Sequence, residues 1–316
     1  MPQANLLDIA KINGTDTVVG LIEENQTVAP DVMAFPARTI RGTSYKIGVR
    51  KSYPGVGFRN ANGGTTYTKS VFENRLIETF ILSGNVRADV AVAGAYEDGP
   101  EAWKLIEASG VMAQSMIELG SQIYYGTGTD SKGFPGLQEI HAAYSATLTE
   151  PLTVDALGTS AGTGSSVYGV KFGPQDCQLI FGTGNAFELG DWFNQMVNDG
   201  TAGQDYLAHV ASLNAWVGLQ VGSVYSVGRI RDLTEDTGKG LTMALIAQLL
   251  SKYPIGKRPD ALFMNRRSAY QLQLSVSATS NTSGTASNTP IGEVPTSAFG
   301  IPIIVTDSII NTEALS

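Results

Sequence analysis

The stretch SYPGVGFRNANGGTTYTKS (residues 52–70) joins two extended runs but contains few large apolar residues of its own. Before it, Tyr45, Ile47 and Val49 alternate with charged residues and a glycine, which predicts a strand. A second extended run leads out of it, from Thr65 to about Leu82. The sequence therefore predicts a long hairpin. Its tip, with one proline and four glycines, has too little apolar surface to fold onto a core of its own.

The composition indicates a chain whose surface contacts other protein. With 316 residues it can form one large domain or two around a sizeable core. Charged residues make up only 16%, which is low for a free monomer, although a weakly charged β-rich protein is an alternative explanation. The net charge is -8 and no run of adjacent basic residues is longer than two, as at Arg50-Lys51, which argues against a nucleic-acid clamp because phosphate binding needs clustered lysines and arginines.

The N-terminal segment lacks the charged start and apolar stretch of a signal peptide, and no run of about 18 apolar residues that could span a membrane occurs. We therefore expect synthesis in a reducing cytoplasm and no membrane contact. The single cysteine, Cys177, excludes a disulfide framework or a thiolate metal site within one chain. We expect it to be a buried thiol.

No motif predicts catalysis. A Ser/His/Asp set could be drawn from His209, Asp205 and one of many serines, but no nucleophile-elbow pattern supports it. Both this histidine and His141 are expected to face solvent or the core. The segments GTGTDSKG (126–133) and TGKGLT (237–242) imitate phosphate-binding loops, but both lack the residue spacing of that motif.

Two further patterns have ordinary structural explanations. DLTEDTG (232–238) is rich in oxygen ligands but lacks the spacing and closing glutamate of a calcium loop, so it predicts a capped turn. Five aromatic residues could line a carbohydrate groove but at strand spacing are more often core: Tyr144, Tyr168, Trp192, Tyr206 and Trp216. We therefore predict no catalytic, cofactor-binding or metal-binding residue.

The strongest helical segment runs from Glu101 to Tyr125, with Asp98 as a cap, Pro100 in the first turn and Gly126 at its end. Its apolar and small residues recur at helical spacing, at Trp103, Ile106, Ala113, Ile117, Gly120 and Tyr124. Such a helix is about 37 Å long at 1.5 Å per residue. It is a candidate backbone for the whole molecule.

The N-terminal residues 1–35 predict an arm, with one or two helical turns between Val18 and Gln26 that are followed by breaks at Pro30 and Pro36. From the glycine-rich break after the long helix to Asp232, the chain is predicted to be β-rich. Its strands are predicted in SSVYGVKF (165–172), CQLIFG (177–182) and a long run from about Asn214 to Asp232.

The last part of the chain mixes helix and strand patterns. A helix, a strand, a second helix and a buried strand are predicted in GLTMALIAQLLSKY (240–253), ALFMN (261–265), RRSAYQLQL (266–274) and GIPIIVTDSI (300–309). Between the last two, Ser275 to Ala298 is rich in Ser, Thr, Asn and Gly and predicts a long loop, mobile or engaged by a partner.

The order of these features resembles the major capsid protein of tailed bacteriophages, with the Hong Kong 97-like fold. Three segments carry the resemblance. SYPGVGFRNANGG (52–64) is similar to the tip of the family's extended loop, and KGFPGL (132–137) is similar to its passage into the central domain. RPDALFMNRRSAYQLQ (258–273), followed by GIPIIVTDSI, is similar to the family's late helix and central strand. The resemblance covers nearly the whole chain.

The resemblance implies an α+β fold with an N-terminal arm, an extended β-hairpin loop, a peripheral domain containing a long spine helix, and a central axial domain. The arm is expected in residues 1–36 and the hairpin in residues 37–82. The peripheral domain is expected in residues 83–126, with residues 201–232 returning to it. The axial domain is expected in residues 127–200 and 233–316. Because the arm is shorter than in the family's type member, any scaffold is expected to be a separate protein.

The resemblance also implies the function: a structural subunit that assembles into hexamers and pentamers of an icosahedral shell around double-stranded DNA. The hairpin is then expected to reach across a neighbouring subunit. The interface residues expected on it are Arg50, Lys51, Tyr53, Phe58 and Arg59. The expected partners are further copies of the chain, a separate scaffolding protein, a portal and packaged DNA bound without sequence specificity. A decoration protein, covalent cross-linking through a hairpin lysine, and the shell size are left open.

Assembly is expected in the host bacterial cytoplasm, and the mature location is the virion capsid. Two alternatives to a viral capsid remain. One is an encapsulin-like compartment shell of the same fold that holds a cargo enzyme. The other belongs to a different class, a secreted β-rich protein that binds or hydrolyses carbohydrate, for which a signal peptide and an acidic pair across a groove would be expected.

Overall fold

The computed structural model describes residues 6–13, 27, 29–182, 189–198, 204–282 and 294–315. These residues form a five-stranded sheet, a six-stranded sheet and a separate two-stranded hairpin, together with helices. The helical turn predicted between Val18 and Gln26 lies outside the described residues.

The helices in the described part of the chain are α1 Leu6–Ile12, α2 Pro30–Ala34, α3 Val90–Ala93, α4 Pro100–Tyr125, α5 Leu137–Ser145, α6 Met243–Ser251 and α7 Arg266–Thr282. The strands are β1 Ala37–Thr39, β2 Ser44–Ser52, β3 Val71–Glu78, β4 Phe80–Asp89, β5 Thr153–Asp155, β6 Ser165–Val170, β7 Cys177–Phe181, β8 Phe193–Asn198, β9 Asp205–Val221, β10 Val227–Leu233, β11 Ala261–Met264, β12 Ser297–Ala298 and β13 Ile301–Val305.

The long helix α4 confirms the helix predicted from Glu101 to Tyr125, but its N-cap is Gly99, so the prediction of Asp98 as the cap is wrong. Pro100 occupies the start of the helix, where a missing backbone N–H is not needed. The helix buries Trp103 near its start and Ile123 near its end. It stops at Gly126, whose φ of 55° lies in the left-handed region that favours glycine. A Cβ at this position would overlap the backbone of Gly136, so the glycine also permits a close approach of two segments.

The five-stranded sheet has the order β1-β7-β9-β4, and β8 pairs with the first part of β9. β9 is the common element, because β4, β7 and β8 all pair with it in antiparallel fashion. The six-stranded sheet has the order β12-β13-β11-β6-β10-β5. One apolar core joins the two sheets to α4, and within it Tyr124 packs against Tyr168 with ring centroids 5.2 Å apart. Cys177 lies in this core, as predicted.

The C-terminal segment is fixed by a buried charge network. Glu313 accepts hydrogen bonds from the hydroxyl of Tyr125 at 2.6 Å and the hydroxyl of Ser166 at 2.5 Å. The guanidinium of Arg229 lies 3.0 Å from the same carboxylate, and both side chains of this ion pair are less than a tenth exposed. The network therefore connects the end of α4, two strands of the six-stranded sheet and the last residues of the chain.

Several sequence predictions need correction. The region after α4 is not uniformly β-rich, because α5 occupies residues 137–145. The extended run from Asn214 to Asp232 is two strands, β9 and β10, which lie in different sheets. α7 continues to Thr282, so the predicted loop from Ser275 to Ala298 is helical at its start. Pro30 does not break a helix but begins α2. The helix at α6 and the strands at β11 and β13 are confirmed.

The sheets combine strands from several of the segments predicted for the domains. β7 and β8, from the segment 127–200, pair with β9 beside β4. Within the segment 201–232, which was expected to return to the peripheral part, β9 pairs with β4, and β10 pairs with β5 and β6. β1, predicted as part of the hairpin, pairs in parallel with β7. The division into peripheral and axial domains stays a prediction.

Candidate intersubunit surface

The hairpin formed by β2 and β3 is a two-stranded sheet of its own, as the alternating residues before the tip predicted. Tyr45 pairs with Ile77 near its base and Arg50 with Phe72 near its outer end, where the register shifts. One face of the hairpin is partly buried against the rest of the chain, as the alternating burial along β2 shows. The other face is exposed, and it includes Phe72 (65% exposed) and Leu76 (52% exposed).

Polar and aromatic contacts fix the base of the hairpin. The guanidinium of Arg75 donates a hydrogen bond to the carbonyl oxygen of Gly222 at 2.7 Å and lies 4.4 Å from the centre of the Tyr144 ring. The hydroxyl of Tyr45 donates to the side-chain oxygen of Gln220. These contacts hold the base of the hairpin against the end of β9, so the direction in which the hairpin projects is set within the subunit.

The tip, from Tyr53 to Ser70, has no strand pairing, and all of its residues except Ser70 are exposed. Its four large side chains contact almost nothing within the subunit. Their exposed fractions are 79% for Tyr53, 99% for Val56, 111% for Phe58 and 101% for Tyr67. The loop is ordered locally by polar contacts, such as the backbone N–H of Gly55 donating to the Thr68 hydroxyl at 2.6 Å.

The five interface residues predicted from the sequence fall into two groups along the hairpin. Near the end of β2, the guanidinium of Arg50 lies 5.5 Å from the ring centre of Tyr53 and 5.2 Å from that of Phe72, a cation–π arrangement. Lys51 forms an ion pair with Glu73, and this lysine holds the pKa of the Glu73 carboxyl below its usual value.

At the far end of the tip, Arg59 donates to the carbonyl oxygen of Gly63 at 2.9 Å, while the neighbouring Phe58 ring remains in solvent. Sequence reasoning missed three exposed apolar residues on β3, Val71, Phe72 and Leu76. The sequence does contain a signal for Phe72 and Leu76. Both occupy positions of β3 that alternate with Ile77, so they lie on the face opposite to its buried side chain.

The residues considered for catalysis are not brought together. The Nδ1 atom of His209 lies 2.6 Å from the side-chain oxygen of Asn194, whereas the carboxylate of Asp205 accepts from Asn198 at 3.0 Å. The two are four residues apart on β9, which separates them by about 13 Å. His141 is buried, with its Nε2 atom 3.2 Å from the carbonyl oxygen of Leu152. Desolvation lowers the pKa of His141 to about 4.

The loop-like motifs have structural roles. Near the break after α4, the amide of Gln122 donates to the carbonyl oxygen of Phe134 at 2.7 Å and so fixes the chain that follows the helix. Thr242, at the end of the second glycine-rich segment, caps α6 by accepting from Leu245. Asp236 accepts hydrogen bonds from the backbone N–H groups of Thr159 and Ser160, both at 3.0 Å, which join this segment to a neighbouring loop. The predicted capped turn is confirmed by its local bonds, because Asp236 N–H donates to the Thr234 hydroxyl and Lys239 N–H donates to the carbonyl oxygen of Asp236.

The aromatic residues considered for a carbohydrate groove divide between the core and partly exposed positions. Tyr168 is fully buried, and the others are partly buried: Tyr144 on α5, Trp192 just before β8, and Tyr206 and Trp216 both on β9. Within the described residues, no group of three or more His, Cys, Asp and Glu side chains could hold a metal ion. The helices in the same part of the chain are too short or too polar to cross a membrane.

Comparison with known proteins agrees with the resemblance. The family described as major capsid protein GP7 matches residues 11–316. No curated protein matches the chain at a significant level. The chain is similar in structure to a chain of bacteriophage Epsilon15, with a TM-score of 0.74 and 19% identity over 99% of this chain and 97% of that chain. This similarity confirms the predicted α+β, Hong Kong 97-like fold.

Two more distant similarities have lower scores. A chain of the holo-SrpI encapsulin complex from Synechococcus elongatus has a TM-score of 0.46 and 8% identity, over 74% of this chain and 97% of that one. A chain of Mycobacterium phage Bobi has a TM-score of 0.43 and 12% identity, over 72% of this chain and 97% of that one.

Proposed function

The chain belongs to the family of the major capsid protein GP7, and from this premise we propose that its copies assemble into hexamers and pentamers of an icosahedral shell that encloses double-stranded DNA. The observation that carries this proposal is the hairpin tip. It displays four large apolar or aromatic side chains to solvent in the single subunit. Exposed apolar surface of this kind marks a site that contacts another protein.

We assign the intersubunit contact to the five residues Arg50, Lys51, Tyr53, Phe58 and Arg59. Phe58 is the apolar anchor, because its ring gains the most from leaving water. Arg50 and Tyr53 form a cation–π pair at the end of the hairpin strands. Aromatic and arginine side chains are the types that most often dominate interface energies. Lys51 and Arg59 supply charges that set the register of the contact.

The partners of the shell follow from the same proposal. A separate scaffolding protein and a portal would act with the chain during assembly in the host bacterial cytoplasm, and the finished shell is the virion capsid. The packaged DNA would be enclosed without sequence-specific binding, since the net charge of -8 disfavours tight attachment of a polyanion to the wall. In this role the chain has no catalytic residue and acts only as a structural subunit.

The experiment compares the purified wild-type chain with a variant in which residues 55–68 are replaced by an Asn-Gly turn, which suits a two-residue hairpin connection. Size-exclusion chromatography and electron microscopy at high concentration, with and without the scaffold, measure assembly. We expect shells from the wild type and folded, subunit-sized protein from the variant. A wild type that stays monomeric under all conditions, including in infected cells, would overturn the proposal, and so would normal shells from the shortened variant.

A further inference from the structure

The hairpin tip contains one of the two Asn-Gly steps in this chain. It is Asn62-Gly63, and the other is Asn13-Gly14 near the N-terminus. In such a step the backbone nitrogen of the glycine can attack the side-chain carbonyl carbon of the asparagine, because glycine has no Cβ to hinder the approach. The reaction needs a side-chain amide that is free to rotate towards that nitrogen. The surroundings of the two asparagines therefore decide which of them reacts.

Asn62 has open surroundings. Its side chain is exposed in the turn at the end of the tip, and its φ of 65° lies in the left-handed region, which asparagine adopts more readily than most residues. Among the residues that the structure describes, no hydrogen-bond partner holds its side-chain amide. A Cβ added at the nearby Gly64 would meet no atom within 4 Å. The amide of Asn62 is therefore free to rotate.

The backbone N–H of Gly63 is held only by a bond within the turn. It donates to the carbonyl oxygen of Asn60 at 3.0 Å. The tip from Tyr53 to Ser70 has no strand pairing that would support this turn, and the residues on both sides of the bond are exposed. Because water can replace an exposed hydrogen bond at little net cost, the turn can open and release the nitrogen.

Asn13, in contrast, has a fixed side chain. Its Nδ2 atom donates to the carbonyl oxygen of Ala95 at 3.0 Å, and its Oδ1 atom accepts from the backbone N–H of Glu97 at 3.2 Å. Both partners lie in the segment between α3 and α4, so the side chain ties the end of α1 to the start of the long helix. Rotation towards the next backbone nitrogen would break both bonds. Asn13 is therefore an internal control with the same dipeptide.

We propose that Asn62 is a site of spontaneous deamidation in the unassembled subunit. The deprotonated backbone nitrogen of Gly63 forms a bond to the side-chain carbonyl carbon of Asn62, and the side-chain nitrogen takes up the proton and leaves as ammonia. The product is a cyclic succinimide. Water then breaks either of the two C–N bonds of the ring, which gives isoaspartate or aspartate. The reaction needs no reactant other than water.

The new carboxylate lies in the same turn as an arginine of the proposed intersubunit contact. The guanidinium of Arg59 donates to the carbonyl oxygen of Gly63 at 2.9 Å. A negative charge on residue 62 compensates the positive charge that Arg59 offers to a neighbouring copy. Isoaspartate also lengthens the backbone of the turn. A deamidated subunit should therefore join a shell less readily, and this consequence rests on the proposed function.

The first test follows the unassembled wild-type subunit by peptide mapping with mass spectrometry, during incubation at neutral and at mildly alkaline pH. The same chain unfolded in guanidinium, in which both Asn-Gly steps are free, gives the intrinsic rate. In the folded subunit, Asn62 should deamidate at a rate within severalfold of the intrinsic rate, while Asn13 should keep its amide over the same time. The rate should rise with pH, because the nitrogen of Gly63 must lose its proton, and both aspartate and isoaspartate should appear.

Two alanine variants distinguish the Asn-Gly chemistry from a general change in the tip. Gly63→Ala places a methyl group beside the attacking nitrogen and should slow the deamidation of Asn62 at least severalfold. Gly64→Ala is the matched control, because its Cβ lies in open space one residue further on, and it should react like the wild type. Thermal unfolding of each fresh preparation verifies that the subunit folds.

The second test compares the assembly of each aged preparation with that of its own fresh sample. Ageing should raise the protein concentration needed for shell formation at least severalfold for the wild type and for Gly64→Ala. It should leave this concentration nearly unchanged for Gly63→Ala, because that variant keeps its amide.

Two mapping results would overturn the assignment of the site. One is that Asn62 keeps its amide in the folded subunit as long as Asn13 does. The other is equal deamidation of Gly63→Ala and Gly64→Ala, or the appearance of aspartate alone, since either would exclude the cyclic route. Deamidated subunits that are separated by ion exchange and assemble like unmodified ones would overturn the effect on assembly. Failure of the fresh wild type to form shells would instead contradict the proposed function and leave the mapping results unaffected.

Discussion

The sharpest prediction concerns two phenylalanines that differ only in their surroundings. Phe58, at the hairpin tip, is 111% exposed, whereas Phe263, on β11, is fully buried and stacks on Phe35 with ring centroids 5.3 Å apart. Truncation of the buried ring leaves a cavity, so Phe263→Ala should lower the free energy of unfolding by about 3 to 5 kcal/mol. Phe58→Ala removes no contact within the subunit and should change it by less than about 0.5 kcal/mol.

For shell assembly, in contrast, Phe58→Ala is expected to have a large effect. If Phe58 is buried against a neighbouring copy, its removal forfeits about 1.5 to 3 kcal/mol at each contact. This weakens each contact by about 10-fold to 100-fold. A closed shell repeats the same contact in every subunit, so the losses accumulate, and Phe58→Ala should fail to form shells at concentrations at which the wild type does.

Chemical denaturation of unassembled subunits, followed by light scattering under assembly conditions, gives both quantities for the same preparations. The reasoning predicts a stable Phe58→Ala subunit that does not assemble. It would be refuted if Phe58→Ala unfolded as readily as Phe263→Ala, because the ring would then belong to the core of its own subunit. Normal shell yield from Phe58→Ala would refute it equally, because the ring would then contribute nothing between subunits.

Three further predictions concern the subunit itself. Glu313→Ala leaves the buried guanidinium of Arg229 without its carboxylate partner. Equilibrium denaturation should therefore show a free energy of unfolding that is lower by about 3 to 5 kcal/mol. A decrease of less than about 1 kcal/mol would contradict a buried ion pair at this place. Burial lowers the pKa of His141 from 6.5 to about 4, so the unfolded chain binds a proton in this range that the folded chain does not. The free energy of unfolding should therefore fall as the pH drops from 6.5 to about 4. His141→Gln should make this fall smaller by about 3 kcal/mol. Identical pH profiles of stability for the wild type and the variant would contradict this. Gly126→Ala should lower the free energy of unfolding by at least about 2 kcal/mol, because the added Cβ would overlap the backbone of Gly136 at a residue with positive φ. Gly57→Ala should leave the free energy of unfolding nearly unchanged, because Gly57 lies in open space at the tip. Equal melting temperatures for the two variants would contradict this prediction.

The parts of the fold that sequence patterns predicted are those governed by local periodicity. α4 has a long apolar repeat with a proline at its start and a glycine at its end, and the first strand of the hairpin alternates cleanly. The exposure of the hairpin tip was predicted from its composition, because the tip has too few large apolar residues to form a core of its own. α5 was missed even though Leu137, Ile140 and Tyr144 recur at helical spacing, because the strands around it suggested a β-rich region.

The remaining errors arise from contacts between distant parts of the chain. β1 pairs with β7 across about 140 residues, and no pattern within either strand identifies the other. The run from Asn214 to Asp232 is continuously extended in character, so the turn that sends β10 to the second sheet is not visible in periodicity. The polar composition after Ser275 concealed the last turns of α7, because helix propensity is only a weak constraint.

The same limit applies to the candidate intersubunit surface. The exposed tip residues were predicted from composition, but the cleft between the hairpin and the body of the subunit was not. The walls of this cleft come from the hairpin and from four separate segments, including residues 222–225 and 252–254, which are adjacent only after folding. Such relations are properties of the tertiary structure.

The central claim is that this chain is a shell subunit whose hairpin tip lies on a neighbouring copy. Electron cryomicroscopy of particles assembled from the wild-type chain tests it most directly, because the map shows what surrounds each tip. We predict closed shells in which the side chain of Phe58 is buried against a second copy of the chain. Particles in which residues 53–70 project into solvent or fold back onto their own subunit would contradict the claim.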